Sequence, residues 1–121
     1  MPIVRPGPDF RAFVDFTIPN GDSLSNGLSL DGFRPSVVLM PSAWTAASLT
    51  FQVSKDGVTW FDLYDAGTEV SSAVAASRAQ ALTAAAFAAV PGPYWRFRSG
   101  TGGAAVAQGA QRILTVLCRP L

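Results

Sequence analysis

At 121 residues the chain has the length of a single domain, enough to bury roughly two-thirds of its unfolded surface without disulfide staples. Hydrophobic residues make up 49% and charged residues only 14%, where about 25% is usual, so the surface is largely neutral and suited to close contact with a partner. A net charge of +1 argues against a phosphate-driven nucleic-acid binder, which would carry a basic face.

Residues 1–9 hold Pro2, Pro6 and Pro8 around Gly7 and read as an extended arm ahead of a domain spanning residues 10–121. The arm is either a frayed terminus or a segment laid on a neighbouring subunit, and Ile3, Val4 and Arg5 are its candidate contact residues. Phe10 to Ile18 alternates, with Phe10, Ala12, Val14, Phe16 and Ile18 on one face and Arg11, Phe13, Asp15 and Thr17 on the other. That is a strand with one apolar face. Turns are expected at Pro19–Asp22 and at Asp31-Gly32. Ser36–Met40, between Pro35 and Pro41, is a short apolar run that reads as a buried strand. A loop over residues 41–47 follows, carrying Trp44.

Residues 48–64 read as a β-hairpin: Leu49, Phe51 and Val53 alternate with Thr50, Gln52 and Ser54, then Asp56-Gly57 offers a tight turn. Trp60 is expected to fold over the hairpin and pack on its partner strand. Gly67 to Ala75 suggests a further strand. The alanine-rich stretch 76–90 has helix propensity but no consistent apolar stripe, and its β neighbours favour an extended reading. Pro91-Gly92-Pro93 is a turn, Tyr94–Arg98 a strand alternating aromatic and arginine, residues 99–103 a flexible loop, and Gln111–Arg119 the closing strand. Short strands with turn signals every 8–14 residues predict an all-β, antiparallel β-sandwich.

Little points to chemistry. The chain has no histidine, the commonest general base and metal ligand, and no Gly-x-Ser-x-Gly elbow. Asp56, Asp62, Asp65 and Glu69 lie in or beside turns, where aspartate usually caps the backbone rather than forming an acid/base pair. The three aspartates are also the candidate calcium ligands, without the dense Asp-x-Asp-x-Asp loop that site requires. No catalytic group, cofactor or metal is expected. The lone Cys118 leaves no intramolecular disulfide and reads as a buried thiol. Met1–Pro6 lacks the apolar run of a signal peptide, and no apolar stretch approaches the ~20 residues of a membrane span.

Binding is the remaining class. Trp60 and Trp95, inside strands, read as core; Trp44, in its loop, is the better candidate for a surface contact. Arg96 and Arg98 share one strand face and form either an interface patch or a solvated face.

The hairpin Phe51–Trp60, with its Ser-x-Asp-Gly-x-x-Trp pattern, resembles that of discoidin-like, galactose-binding-type β-sandwiches. Together with Met40–Trp44, Arg96–Gly100 and Gln108, it is similar to small structural proteins of tailed phages and prophages over about residues 30–119. The resemblance implies a jelly-roll-like sandwich and a non-enzymatic virion component, a capsid decoration or a head-fibre or spike base. It implies a homo-oligomer whose partners are other virion proteins such as the major capsid protein. Discoidin-type domains usually join their ends by a disulfide, which Cys118 has no partner to form, so their sugar site is not carried over. A carbohydrate-binding module for host-surface attachment, using Trp44, is the alternative.

Overall fold

The computed structural model describes residues 13–30, 32–89 and 94–120. The arm with Ile3, Val4 and Arg5, the start of the first predicted strand, and the Pro91–Pro93 turn lie outside the described residues. The elements are β1 (Phe13–Ile18), β2 (Leu28–Ser29), β3 (Phe33–Leu39), β4 (Leu49–Ser54), β5 (Phe61–Asp62), β6 (Tyr64–Asp65), β7 (Thr68–Glu69), β8 (Ser71–Ser72), β9 (Ala79–Ala81), α1 (Ala85–Ala89), β10 (Tyr94–Ser99) and β11 (Arg112–Pro120). One sheet runs β1-β11-β3-β9 and the other β2-β10-β4-β5, with β8 also on β4; β6 and β7 form a small separate ribbon. Every pairing among the described strands is antiparallel.

The two sheets share one core. Phe16, Ile18, Val38, Leu114 and Val116 come from the first, and Leu49, Phe51, Trp95 and Phe97 from the second. Phe16 meets Phe97 across the gap with ring centroids 4.7 Å apart. Phe97 then sits edge-on to Phe51, and Phe51 edge-on to Phe87 of α1. Such aromatic pairs contribute roughly 0.5–1.5 kcal/mol each beyond the area they bury. The period-2 pattern of β1 and β10 therefore translates directly into burial: Phe16 and Ile18, or Trp95 and Phe97, point inward because alternate Cβ atoms leave opposite faces.

Among the described strands β1 lies at the edge of its sheet, and Asn26 partly closes that edge. Thr17 N–H donates to Asn26 Oδ1 at 2.8 Å, and Asn26 N–H donates to Thr17 O at 3.2 Å. One side chain and one amide thus stand in for a neighbouring strand, which blunts an edge otherwise open to another chain.

Three local expectations need correction. The Asp56-Gly57 turn is not a two-residue hairpin. Gln52 pairs with Asp62 and Val53 with Phe61, so the connection is the whole stretch from Ser54 to Trp60. Side chains hold it: Ser54 Oγ accepts from Asp56 N–H and Gly57 N–H, while Asp56 Oδ1 accepts from Val58 N–H and Thr59 N–H. Those amides hold the Asp56 carboxyl below its usual range, Thr59 N–H contributing most. Only Gly57 of the pair has a left-handed backbone, φ +77°. The alanine-rich stretch is neither all extended nor all helical. Ala79–Ala81 add to the β3 edge, and Ala85–Ala89 make a short helix whose Phe87 reaches the core. The strand predicted over Gly67–Ala75 splits into two-residue pieces, β7 in the separate ribbon and β8 on β4.

Gly57→Val is expected to cost about 1–2 kcal/mol from the strained φ, lowering the melting temperature by several degrees. A Cβ there would also press the Tyr94 ring at 3.2 Å. A thermal unfolding curve identical to that of the native chain would show that the loop adapts instead.

Candidate functional site

The Arg96/Arg98 face of the second sheet is built by register. Arg96 pairs with Gln52 and Arg98 with Thr50 across β10 and β4, and Gln52 pairs with Asp62 on β5. Arg98 is not solvated: its side chain is 7% exposed. Its Nη1 donates to Asp62 Oδ1 at 2.8 Å, its Nη2 to Glu69 Oε2 at 2.6 Å, and its Nε to Thr50 Oγ1 at 2.9 Å. The Thr50 hydroxyl in turn donates a hydrogen bond to Gly100 O at 2.7 Å. Glu69 also accepts from Gly102 N–H, which pins the 99–103 segment expected to be a flexible loop. Asp62 accepts a further bond from Gln52 Nε2 at 2.8 Å. That bond, and then Arg98, hold the Asp62 carboxyl below its ordinary range against the opposing effect of burial. Arg96 donates to Gln52 Oε1 at 2.6 Å and lies 4.5 Å over the Trp60 ring. Partial burial, and next the neighbouring Arg98, lower its pKa. The two arginines predicted as an interface pair are therefore unlike: Arg98 is an internal tie, and Arg96 is half-buried on the outer face.

Trp60 is on that outer face rather than in the core. Its ring lies against Gly27, whose missing Cβ leaves room for it, and beneath Arg96. Trp95, by contrast, is fully buried, as its strand position implied. Trp44 is half-buried against the core, and its indole N–H donates to Ala47 O at 3.1 Å. Nearby, the buried Gln108 bridges Thr45 N–H, Thr45 O and Ser99 Oγ, bolting the Trp44 loop to β10. Cys118 is half-buried, and burial pushes its thiol up to about 11, so it stays protonated at neutral pH. Among the described residues no group of three acidic, histidine or cysteine side chains is placed to hold a metal ion. Asp56 is engaged by its own loop, and Asp62 by Arg98 and Gln52.

A feature that sequence reasoning missed lies on the other side of the molecule. The outward positions of the first sheet form cross-strand rows: Phe13, Leu117, Val37 and Ala81 in one, and Asp15, Thr115, Leu39 and Ala79 in the next. Thr17 and Ile113 make a third. Phe13 is 50% exposed, Ile113 45% and Leu39 37%. Asp15, hydrogen-bonded to Thr115 Oγ1, is the one charge in these three rows. The signal was present in the sequence. Val37-Val38-Leu39 and Ile113-Leu114 are apolar at consecutive positions, so both faces of these strands are apolar. Such a run reads as buried on both sides, yet among the described residues one side is open.

No family model, no curated protein and no solved structure matches this chain.

Proposed function

We propose that the chain is a non-enzymatic structural protein that works by assembly, burying the outer face of the β1-β11-β3-β9 sheet against other subunits of a larger particle. The observation that carries this reading is the run of exposed Phe13, Leu39 and Ile113 on one sheet face. Contiguous exposed apolar surface on a chain this poor in charge marks a contact surface. The resemblance to tailed-phage structural proteins makes a virion the particle: a homo-oligomeric capsid decoration or head-fibre or spike component bound to proteins such as the major capsid protein. A jelly-roll or galactose-binding-like topology belongs to the same proposal. Many copies on one particle would let weak single contacts sum to stable attachment. The carbohydrate-binding alternative gains nothing from Trp44, whose N–H is already bonded and whose ring packs on the core.

The test is Leu39→Asp with Ile113→Asp. Both side chains point away from the core, so the melting temperature should hold to within a few degrees. The native chain is expected to sediment as an oligomer, or to bind purified particles that lack it, and the variant to do neither. A native chain that is monomeric and indifferent to particles, or a variant that associates as well as the native chain, would overturn the proposal.

A further inference from the structure

Beyond the bulge at Leu117/Cys118, the next outward pair of the first sheet is Arg119 opposite Arg34. Like charges directly opposite across two strands repel and destabilise a sheet. The salt bridges among the described residues belong to Arg98, and neither Arg34 nor Arg119 has one. Both line a cleft of about 340 Å³ between β3, β9, β11 and α1, with Ser36, Leu82, Thr83 and Phe87. That volume is at the low end for small-molecule sites, roughly 300–1,000 Å³. Among the described residues its walls are otherwise apolar, and no acidic side chain lines it. The backbone is fixed there: Leu82 N–H donates to Ser36 O at 2.9 Å, and Phe87 N–H to Ala84 O at 3.0 Å.

We infer that this cleft binds a carboxylate carried on a short apolar body, the carboxylate between Arg34 and Arg119 and the body against Leu82 and Phe87. Two guanidinium forks suit one planar carboxylate, each donating paired N–H groups to its oxygens. The hydroxyls of Ser36 and Thr83 are within the same lining to complete its shell. The bound anion also removes the repulsion that the empty pair carries, which is the local conflict that a functional site can be expected to show. The source of such a group is either a free organic acid or a glutamate or aspartate in an apolar segment of a partner. The inference does not rest on the assembly reading, since a monomer would bind equally well.

Titration of the native chain with octanoate, followed by amide chemical shifts, should give saturable changes confined to residues around Leu82, Thr83 and Phe87. Octanol, the same body without the charge, should bind at least ten-fold more weakly. Arg34→Gln with Arg119→Gln should weaken octanoate by at least ten-fold while leaving the melting temperature unchanged or raised, because a repulsive pair has been removed. A capped tripeptide with glutamate between two leucines tests the second source. Binding of octanoate alone assigns the cleft to a free acid, and binding of the tripeptide alone assigns it to a partner's side chain. Either outcome supports the site. Equal binding of octanol and octanoate, or no binding of either acid, overturns it, and neither measurement depends on the variant folding.

Discussion

Arg98→Met is expected to destabilise the fold by about 3 kcal/mol, which for a domain near this size lowers the melting temperature by roughly 12 °C. Methionine replaces the volume of the arginine stem but leaves Asp62, Glu69 and Thr50 without the donor that now serves all three. Glu69 suffers most, because its side chain is 16% exposed against 31% for Asp62 and water can reach it less readily. Neutralising the acids as well, with Asp62→Asn and Glu69→Gln on the Arg98→Met background, should recover part of the loss, since an uncompensated buried charge costs more than an absent pair. The pH dependence gives an independent check. Asp62 has its folded pKa below the unfolded value of 3.8, with Gln52 the leading cause and Arg98 contributing. Its contribution is therefore present above pH 3.8 and lost as the pH falls through the folded pKa. Removing Arg98 moves the folded pKa back towards 3.8 and shallows this acid limb. An Arg98→Met protein that melts within 2–3 °C of the native chain, roughly the effect of an ordinary surface change, would show that the network contributes no net stability.

The same residues show what could and could not be read in advance. Phe16, Ile18, Phe51, Trp95 and Phe97 were legible as core because each sits in an alternating strand with one face turned inward. That both sheets are antiparallel followed from short strands and frequent turn signals. The difference between Arg96 and Arg98 was not legible, because it is made by partners far along the chain. Glu69 lies 29 residues from Arg98, and Thr50 lies 48 residues from it. The Asp56-Gly57 dipeptide signalled a chain reversal correctly, but the length of the loop is set by the Ser54 and Asp56 side chains, which divide its amides between them. In the alanine-rich stretch, helix propensity won only where Phe87 could reach Phe51 and Trp95. Ala79–Ala81 were taken instead by the open edge of β3, a tertiary contact that overrides a weak local preference. The apolar outer face escaped notice for a related reason: the apolar strand residues are read as core, and the pattern does not say how many of their faces have a partner.

Gly100→Ala is the second large effect expected, about 3 kcal/mol or more, again a loss of roughly 12 °C. Gly100 has φ +88°, a region an L side chain enters only with strain. A Cβ added there would meet backbone on three sides: Ala104 O at 2.5 Å, Val106 N at 2.7 Å and Ala105 Cα at 2.9 Å. None of these can move like the end of a side chain, because the segment is tied down. Gly100 N–H donates to Ser48 O and Val106 N–H to Ser99 O, at 2.8 and 2.9 Å. The matched control is Gly103→Ala in the same segment, where an added Cβ meets nothing within 4 Å and the change should stay within about 0.5 kcal/mol. If Gly100→Ala melts as mildly as Gly103→Ala, the segment yields and the strain is not real. The two large predictions also meet at one atom: Gly100 O accepts the Thr50 hydroxyl, and Thr50 Oγ1 accepts Arg98 Nε. Displacing Gly100 should therefore loosen Arg98 from Thr50. The double variant Gly100→Ala with Arg98→Met should then cost less than the sum of the two single changes, by at least about 0.5 kcal/mol. Strict additivity in chemical unfolding would mean that the loop and the buried ion network stabilise the sheet separately.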